Sequence, residues 1–259
     1  MIAHRYVASL CMAALASSLA AAPLAGQGTD PAMNAATRAA IDNLRTENAW
    51  TVDQQVSICE IPAPPFKEAV RGAEMKRRFE ALGLRNVRID SIGNVIAERP
   101  GTGGGPVVIF SAHLDTVFPE GTEVRVKRQG TLLSGPGIGD DCRGLAVILS
   151  VARAMRTAGV QTAGTIYFVA NVGEEGPGNL RGVKHLFANP PAKIDYFVAV
   201  DGTGLGLTSR AVGSNRYRVS YRGPGGHSYG AFGMPSPIHA LGRAIAKISA
   251  IQVPRSPKT

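Results

Sequence analysis

Three short apolar runs, each ending in a histidine or a carboxylate, constrain this chain more than any other feature. Val107-Val108-Ile109-Phe110 leads into Ser111-Ala112-His113-Leu114-Asp115, and Phe168-Val169-Ala170 leads into Asn171-Val172-Gly173-Glu174-Glu175. Val198-Ala199-Val200 leads into Asp201. A continuous apolar run of this length reads as a strand covered on both faces, the habit of parallel strands between helices. Strands are predicted over Val107–Phe110, Thr165–Ala170 and Tyr196–Val200, with helices over Leu145–Met155 and Asn179–Phe187 between them. Upstream, helical periodicity covers Pro31–Ile58, breaks at Ile61-Pro62-Ala63-Pro64-Pro65, and resumes over Phe66–Leu82 until Gly83 stops it. Val87–Asp90 and Asn94–Arg99 alternate as two short strands around a turn at Ser91-Ile92-Gly93. The predicted fold is α/β: a three-layer domain with a largely parallel sheet, spanning residues 31–207.

At about Thr208 the pattern changes. Arg216, Arg218, Ser220 and Arg222 alternate with Tyr217, Val219 and Tyr221, which predicts a strand with one wet and one packed face. A helix follows over about Pro237–Ile251, so residues 208–259 read as the beginning of a second, α+β unit.

Composition removes several alternatives. The chain has 259 residues with 28 Lys and Arg against 19 Asp and Glu, a formal charge of +9. Lys76, Arg77 and Arg78 share one helical stretch and Arg125, Lys127 and Arg128 one extended stretch, and the rest are scattered. No basic run carries stacking aromatics beside it, so a solvated basic surface is expected and no nucleic-acid partner. His4 and Arg5, the apolar stretch from Tyr6 to Ala25 and its Ala-rich end describe a signal peptide over residues 1–26, cut near Ala22, Ala25 or Gly26. The expectation is export to the periplasm or the extracellular space, with no stable membrane span after cleavage. Removing that segment removes Cys11 and leaves Cys59 and Cys142, both expected as free thiols.

The polar ends of the apolar runs carry the chemistry. In open α/β sheets ligands bind beyond the carboxyl ends of the strands, and unpaired carboxylates buried there for packing alone would be costly. A fourth element, Gly135-Pro136-Gly137-Ile138-Gly139-Asp140-Asp141, sets Asp140 near a helix start, where it either caps or ligates. Beside the other three elements, ligation is the preferred reading. His113 and Asp115 leave the same strand face, so one can bind a metal while the other orients it. Adjacent Glu174 and Glu175 suggest one ligand and one general base. Imidazole and carboxylates without thiolates suit zinc, with cobalt or manganese as alternatives. His185 and His239 are read as structural.

These elements together resemble the co-catalytic zinc metallopeptidases and amidohydrolases that include aminoacylase, carboxypeptidase G, acetylornithine deacetylase and peptidase T. The resemblance implies that Asp140 bridges two zinc ions, His113 and Asp201 complete one of them, and Glu175 serves the other. It implies Glu174 as general base, Asp115 as support for His113, and small peptides or N-acyl amino acids as substrates. It makes residues 208–259 the start of a lid, or dimerisation, domain. There Gly225-Gly226-His227 would lend His227 to the oxyanion, across a homodimer if that domain were complete. Two departures stand out. Cys142-Arg143-Gly144 replaces Lys-Gly-Gly, and the further His ligand that the family carries after its lid has no counterpart before Thr259. The chain is therefore expected to be truncated, and a catalytically inactive metal- or partner-binding remnant is the alternative to an active hydrolase.

Two other motifs compete. Gly226-His227-Ser228-Tyr229-Gly230 fits the serine-hydrolase elbow, but no acid follows Ser228 to complete a triad. The Gly135–Gly139 loop lacks the spacing of a dinucleotide fingerprint, and paired aspartates would repel a pyrophosphate.

Overall fold

The computed structural model describes residues 33–210, 213 and 215–253. The signal-peptide segment with its cleavage positions, and Cys11, lie outside the described residues. Two compact units divide at Thr203 and Gly204.

The first unit opens with two helices where the periodicity predicts one. Helix α1 (Ala35–Thr46) is capped by Asn34, whose side chain accepts the Thr37 N–H at 2.9 Å. Helix α2 (Asn48–Cys59) follows after Glu47, and α3 (Ala69–Ala81) comes after the proline-rich break. The remaining elements are β1 (Arg85–Ile89), β2 (Val95–Arg99), β3 (Val108–His113), the hairpin β4 (Lys127–Gln129) and β5 (Leu132–Ser134), and α4 (Cys142–Thr157). They continue with β6 (Ile166–Asn171), α5 (Arg181–Ala188) and β7 (Tyr196–Ala199).

The main sheet has the order β1-β2-β6-β3-β7. Strand β3 runs parallel to both β6 and β7, but β1 with β2 and β2 with β6 are antiparallel. The expected largely parallel sheet is thus a mixed one, and the reason is local. Asp90 Oδ1 accepts the N–H groups of Ile92, Gly93 and Asn94 at 3.1, 3.0 and 2.9 Å, closing a tight turn in which Gly93 takes φ +109°. A turn this short reverses the chain and can only join antiparallel neighbours, whereas parallel strands need a crossover.

Alternation along the strands divides the core. Val95, Ala97, Ala112, Phe168 and Ala170 pack with Ile58 of α2, Met75 and Phe79 of α3, and Leu145, Ile148 and Leu149 of α4. Ile96, Ile109, Tyr167 and Val169 pack with Leu186 of α5. Helices thus flank the sheet on both faces. Strand β6 is buried along its whole length, as its apolar run requires. Strand β7 is not: it lies at the sheet edge, with Tyr196 62% and Val198 39% exposed, which corrects the expectation of a buried strand.

The second unit contains one helix among its described residues, α6 (Pro237–Ser249), capped by Ser236. The strand expected over Arg216–Arg222 is absent. Residues 216–222 form no strand, and Tyr217 and Val219 are exposed. Alternation marks a strand only where a partner strand exists.

Phe168 sits fully buried in the central strand. Phe168→Ala is expected to lower unfolding free energy by about 3–5 kcal/mol in urea titrations, and a loss below about 1 kcal/mol would contradict its central place in this core.

Candidate metal centre

The sheet register sets the geometry. His113 pairs with Asn171 across β3 and β6, and Ser111 with Ala199 across β3 and β7. The segments after all three strands therefore leave the sheet at one edge, carrying Asp115, then Glu174 and Glu175, then Asp201.

His113 is almost wholly buried. Its Nε2 lies 2.8 Å from Asp140 Oδ1 and 3.9 Å from Asp201 Oδ1. Its Nδ1 lies 2.9 Å from the Asp115 carbonyl oxygen and 3.6 Å from Asp115 Oδ1. The nearest orienting contact for the ring is thus the main chain of Asp115. The Asp115 carboxylate is also engaged by the main chain: its two oxygens accept the N–H groups of Glu174 and Glu175 at 3.0 and 2.9 Å. One buried side chain therefore shapes the loop after β6 from the end of β3. Burial works against its ionisation, but His113 and these two N–H groups outweigh it and hold the carboxyl below the usual range.

Asp141 takes the cap, which frees Asp140. Asp141 Oδ1 accepts the Gly144 N–H at 2.9 Å at the start of α4, while Oδ2 accepts the His113 N–H at 2.8 Å. Burial pushes its carboxyl up to about 8, against the opposing pull of His113. Asp140, by contrast, keeps 56% of its side chain exposed and turns it to the His113 ring.

Two sets of donor atoms result, each within 4.8 Å of one another: His113 with Glu174 and Glu175, and His113 with Asp140 and Asp201. Burial pushes the carboxyls of Glu174 and Glu175 up, reinforced by neighbouring carboxylates. Burial alone would lower His113, but the Asp115 hydrogen bond and the charges of Asp141, Asp115 and Asp201 raise it to about 10. One imidazole among carboxylates, buried on one side and open on the other, fits a divalent cation of zinc type by the chemistry of its donors.

The other candidates are not members of these donor sets. His227 belongs to the second unit, where its exposed ring accepts the Tyr229 N–H at 3.2 Å. Ser228 lies in a turn, and among the described residues no strand leads into it, so the elbow geometry of a serine hydrolase is missing. His185 lies 4.0 Å from Asp90. Among the described residues no helix is long and apolar enough to cross a membrane.

Sequence reasoning missed Arg71. It is fully buried in α3, donating from Nη1 to the Leu114 carbonyl oxygen at 2.7 Å and from Nε to that of Ile61 at 2.9 Å. It therefore braces the main chain between His113 and Asp115. Nothing in a helix with three further basic residues marks the one that turns inward. Asp141 did have a signal, an aspartate directly before a helical pattern.

The protonation of His113 has a measurable consequence. At pH 7 the metal-free ring holds its proton, since its pKa lies at about 10, and an imidazolium cannot ligate. Zinc uptake is expected to release protons, and apparent affinity to rise as pH climbs toward 10. Calorimetric titrations in buffers of different ionisation enthalpy measure this; uptake without proton release would contradict the ligation of His113.

Comparison with known proteins agrees with this geometry. A sequence model of peptidase family M28 matches residues 94–226, half of the chain. Carboxypeptidase G2 of Pseudomonas sp. (strain RS-16) is 29% identical over 154 residues, 57% of this chain and 36% of that protein. Succinyl-diaminopimelate desuccinylase of Burkholderia mallei is 30% identical over 197 residues, 69% of this chain and 52% of that protein. The structure of aminopeptidase PepT from Bacillus cereus superposes with a TM-score of 0.51 at 26% identity, covering 60% of this chain and 43% of that one. The matches thus span between about a third and about half of these relatives' own lengths. With the strand ends that carry His113, Glu174, Glu175 and Asp201 inside the matched region, the chain belongs to peptidase family M28, in the M20/M28-like superfamily of co-catalytic zinc peptidases and amidohydrolases.

Proposed function

We propose that this chain carries the catalytic site of an exported, metal-dependent hydrolase of peptide or N-acyl amide bonds. The observation that carries the reading is His113 shared between two carboxylate sets at one sheet edge. His113 and Asp201 would hold one ion and Glu175 the other, with Asp140 contributing its carboxylate beside the His113 ring. Two zinc ions, when bound, supply Lewis acidity toward the scissile carbonyl and toward water. Glu174, whose carboxyl burial pushes up, takes the proton of the attacking water and returns it to the leaving nitrogen. Asp115 sets the position of that base through the N–H groups of Glu174 and Glu175, and its carbonyl orients His113. Small peptides or N-acyl amino acids are the substrate class, supported by the carboxypeptidase, desuccinylase and aminopeptidase named above. Residues 208–259 are the beginning of a lid or dimerisation domain in this reading, with His227 assisting the oxyanion in a homodimer. Export rests on the N-terminal pattern of residues 1–26, and mass analysis of the mature N-terminus checks it.

One observation favours a second reading. Among the described residues the two donor sets contain a single imidazole, so the second ion would have carboxylate donors only. A chain that binds one ion and turns over no substrate would be the inactive remnant. Zinc stoichiometry with a panel of dipeptides and acyl-amino acids separates the two.

Glu174→Ala is expected to reduce turnover by about 10²–10⁴-fold while zinc content stays as in the parent chain. Loss of zinc together with activity would contradict its role as a base.

A further inference from the structure

Arg181 opens α5, where a cation is out of place: the helix dipole is positive there, and the first turn holds no acidic residue. Its Nη1 is buried and has no hydrogen-bond partner among the described residues, a costly state for a donor. The guanidinium is nonetheless held by three groups. Its Nη2 donates to Oε1 of the buried Glu68 at 2.7 Å. The Phe66 ring centre lies 4.6 Å from its central carbon. Phe66 takes φ +67° and donates its N–H to the same Glu68 oxygen at 3.1 Å. The third group is Gly173. A Cβ there would lie 1.8 Å from Arg181 Nη1, and Gly173 itself takes φ +65°. The main chain closes the contact, with the Arg181 N–H donating to the Gly173 carbonyl oxygen at 3.3 Å.

We propose that Arg181 is a positioning residue for Glu174, and that the Arg181–Glu68 pair clamps the loop after β6 at Gly173, one residue before that base. Asp115 already accepts the N–H groups of Glu174 and Glu175. Those two hydrogen bonds fix the amides, but a glycine before them leaves the loop free to pivot. The guanidinium occupies the space where a Cβ would stand and removes that freedom. Gly178 closes on the same spot, since a Cβ at Gly178 would lie 2.5 Å from Gly173 Cα. An ammonium could pair with Glu68, but it has no planar fork to meet the carboxylate and Gly173 together. Glu68 stands directly before α3, so the clamp ties the start of α3 to the loop that carries Glu174 and Glu175. The costs gathered at Arg181 thus secure the placement of that loop. The consequence for turnover rests on the hydrolase proposed above; the clamp itself does not.

Arg181→Met alone leaves the buried Glu68 charge unpaired, so the deciding variant of the full chain combines Glu68→Gln with Arg181→Met and buries no lone charge. Amide hydrogen exchange is followed by NMR without metal. The Glu174 and Glu175 amides are expected to exchange about tenfold faster than in the parent, the scale of one lost hydrogen bond to a charged group, while those of β3 and β6 keep their rates. Unchanged exchange at Glu174 and Glu175, or equal acceleration throughout β3 and β6, would overturn the clamp. With zinc and a dipeptide or acyl-amino acid that the parent cleaves, kcat is expected to fall about 10²-fold, as for a misplaced reacting group, with KM little changed. Adding Glu174→Ala to the double variant is expected to cost nothing beyond Glu174→Ala alone, because a residue that acts through the base has no effect once the base is gone. An unaltered kcat, or losses that simply add, would overturn the positioning role. A parent chain without turnover would defeat the hydrolase, and the exchange rates, read without metal or substrate, would still decide the clamp.

Discussion

The carboxylate of Asp141 is the contact on which the site depends. A fully buried acid is costly unless its oxygens find donors, and here one oxygen takes the first free N–H of a helix while the other takes the N–H of His113. The end of β3 and the beginning of α4 are thereby fixed to each other at a single side chain. Everything that must converge on the His113 ring inherits that placement. Asp140 precedes the cap directly and so has little freedom except to face the ring. Had Asp140 itself been the cap, its carboxylate would have been turned toward the helix and away from His113.

A second buried acid has the same effect on the other side. Asp115 accepts the two N–H groups of Glu174 and Glu175, which binds the loop after β6 to the end of β3 as firmly as Asp141 binds α4. Arg71 adds the remaining brace by donating to Leu114 between them. The exposed carboxylates can therefore be close to one another without the fold having to neutralise each of them. Their mutual repulsion is one that a bound cation would relieve.

How much of this could be read from the sequence follows from which physics is local. Strand ends bearing His113, Glu174, Glu175 and Asp201 were legible because an acid at the end of a buried apolar run is costly unless a cation or a donor meets it. The α/β class followed from the same runs. The mixed sheet was hidden in the Asp90–Asn94 turn, whose Asx geometry decides strand direction. The exposed faces of β7 were hidden because an apolar run looks the same at a sheet edge as at its centre. At Arg216–Arg222 the alternation was present, but no strand formed there. The use of the Asp115 carboxylate for two backbone N–H groups, beside its approach to the His113 ring, depends on a contact across 59 residues and leaves no local trace.

The central claim is that one edge of this sheet is a metal centre organised around His113. Anomalous diffraction from crystals of the chain grown with zinc tests it most directly. The account predicts an anomalous peak within ligand distance, about 2.0–2.2 Å, of His113 Nε2 and of carboxylate oxygens from Asp140 and Asp201. Zinc bound only at other histidines or surface acids, with the His113 ring left without a peak, would contradict it.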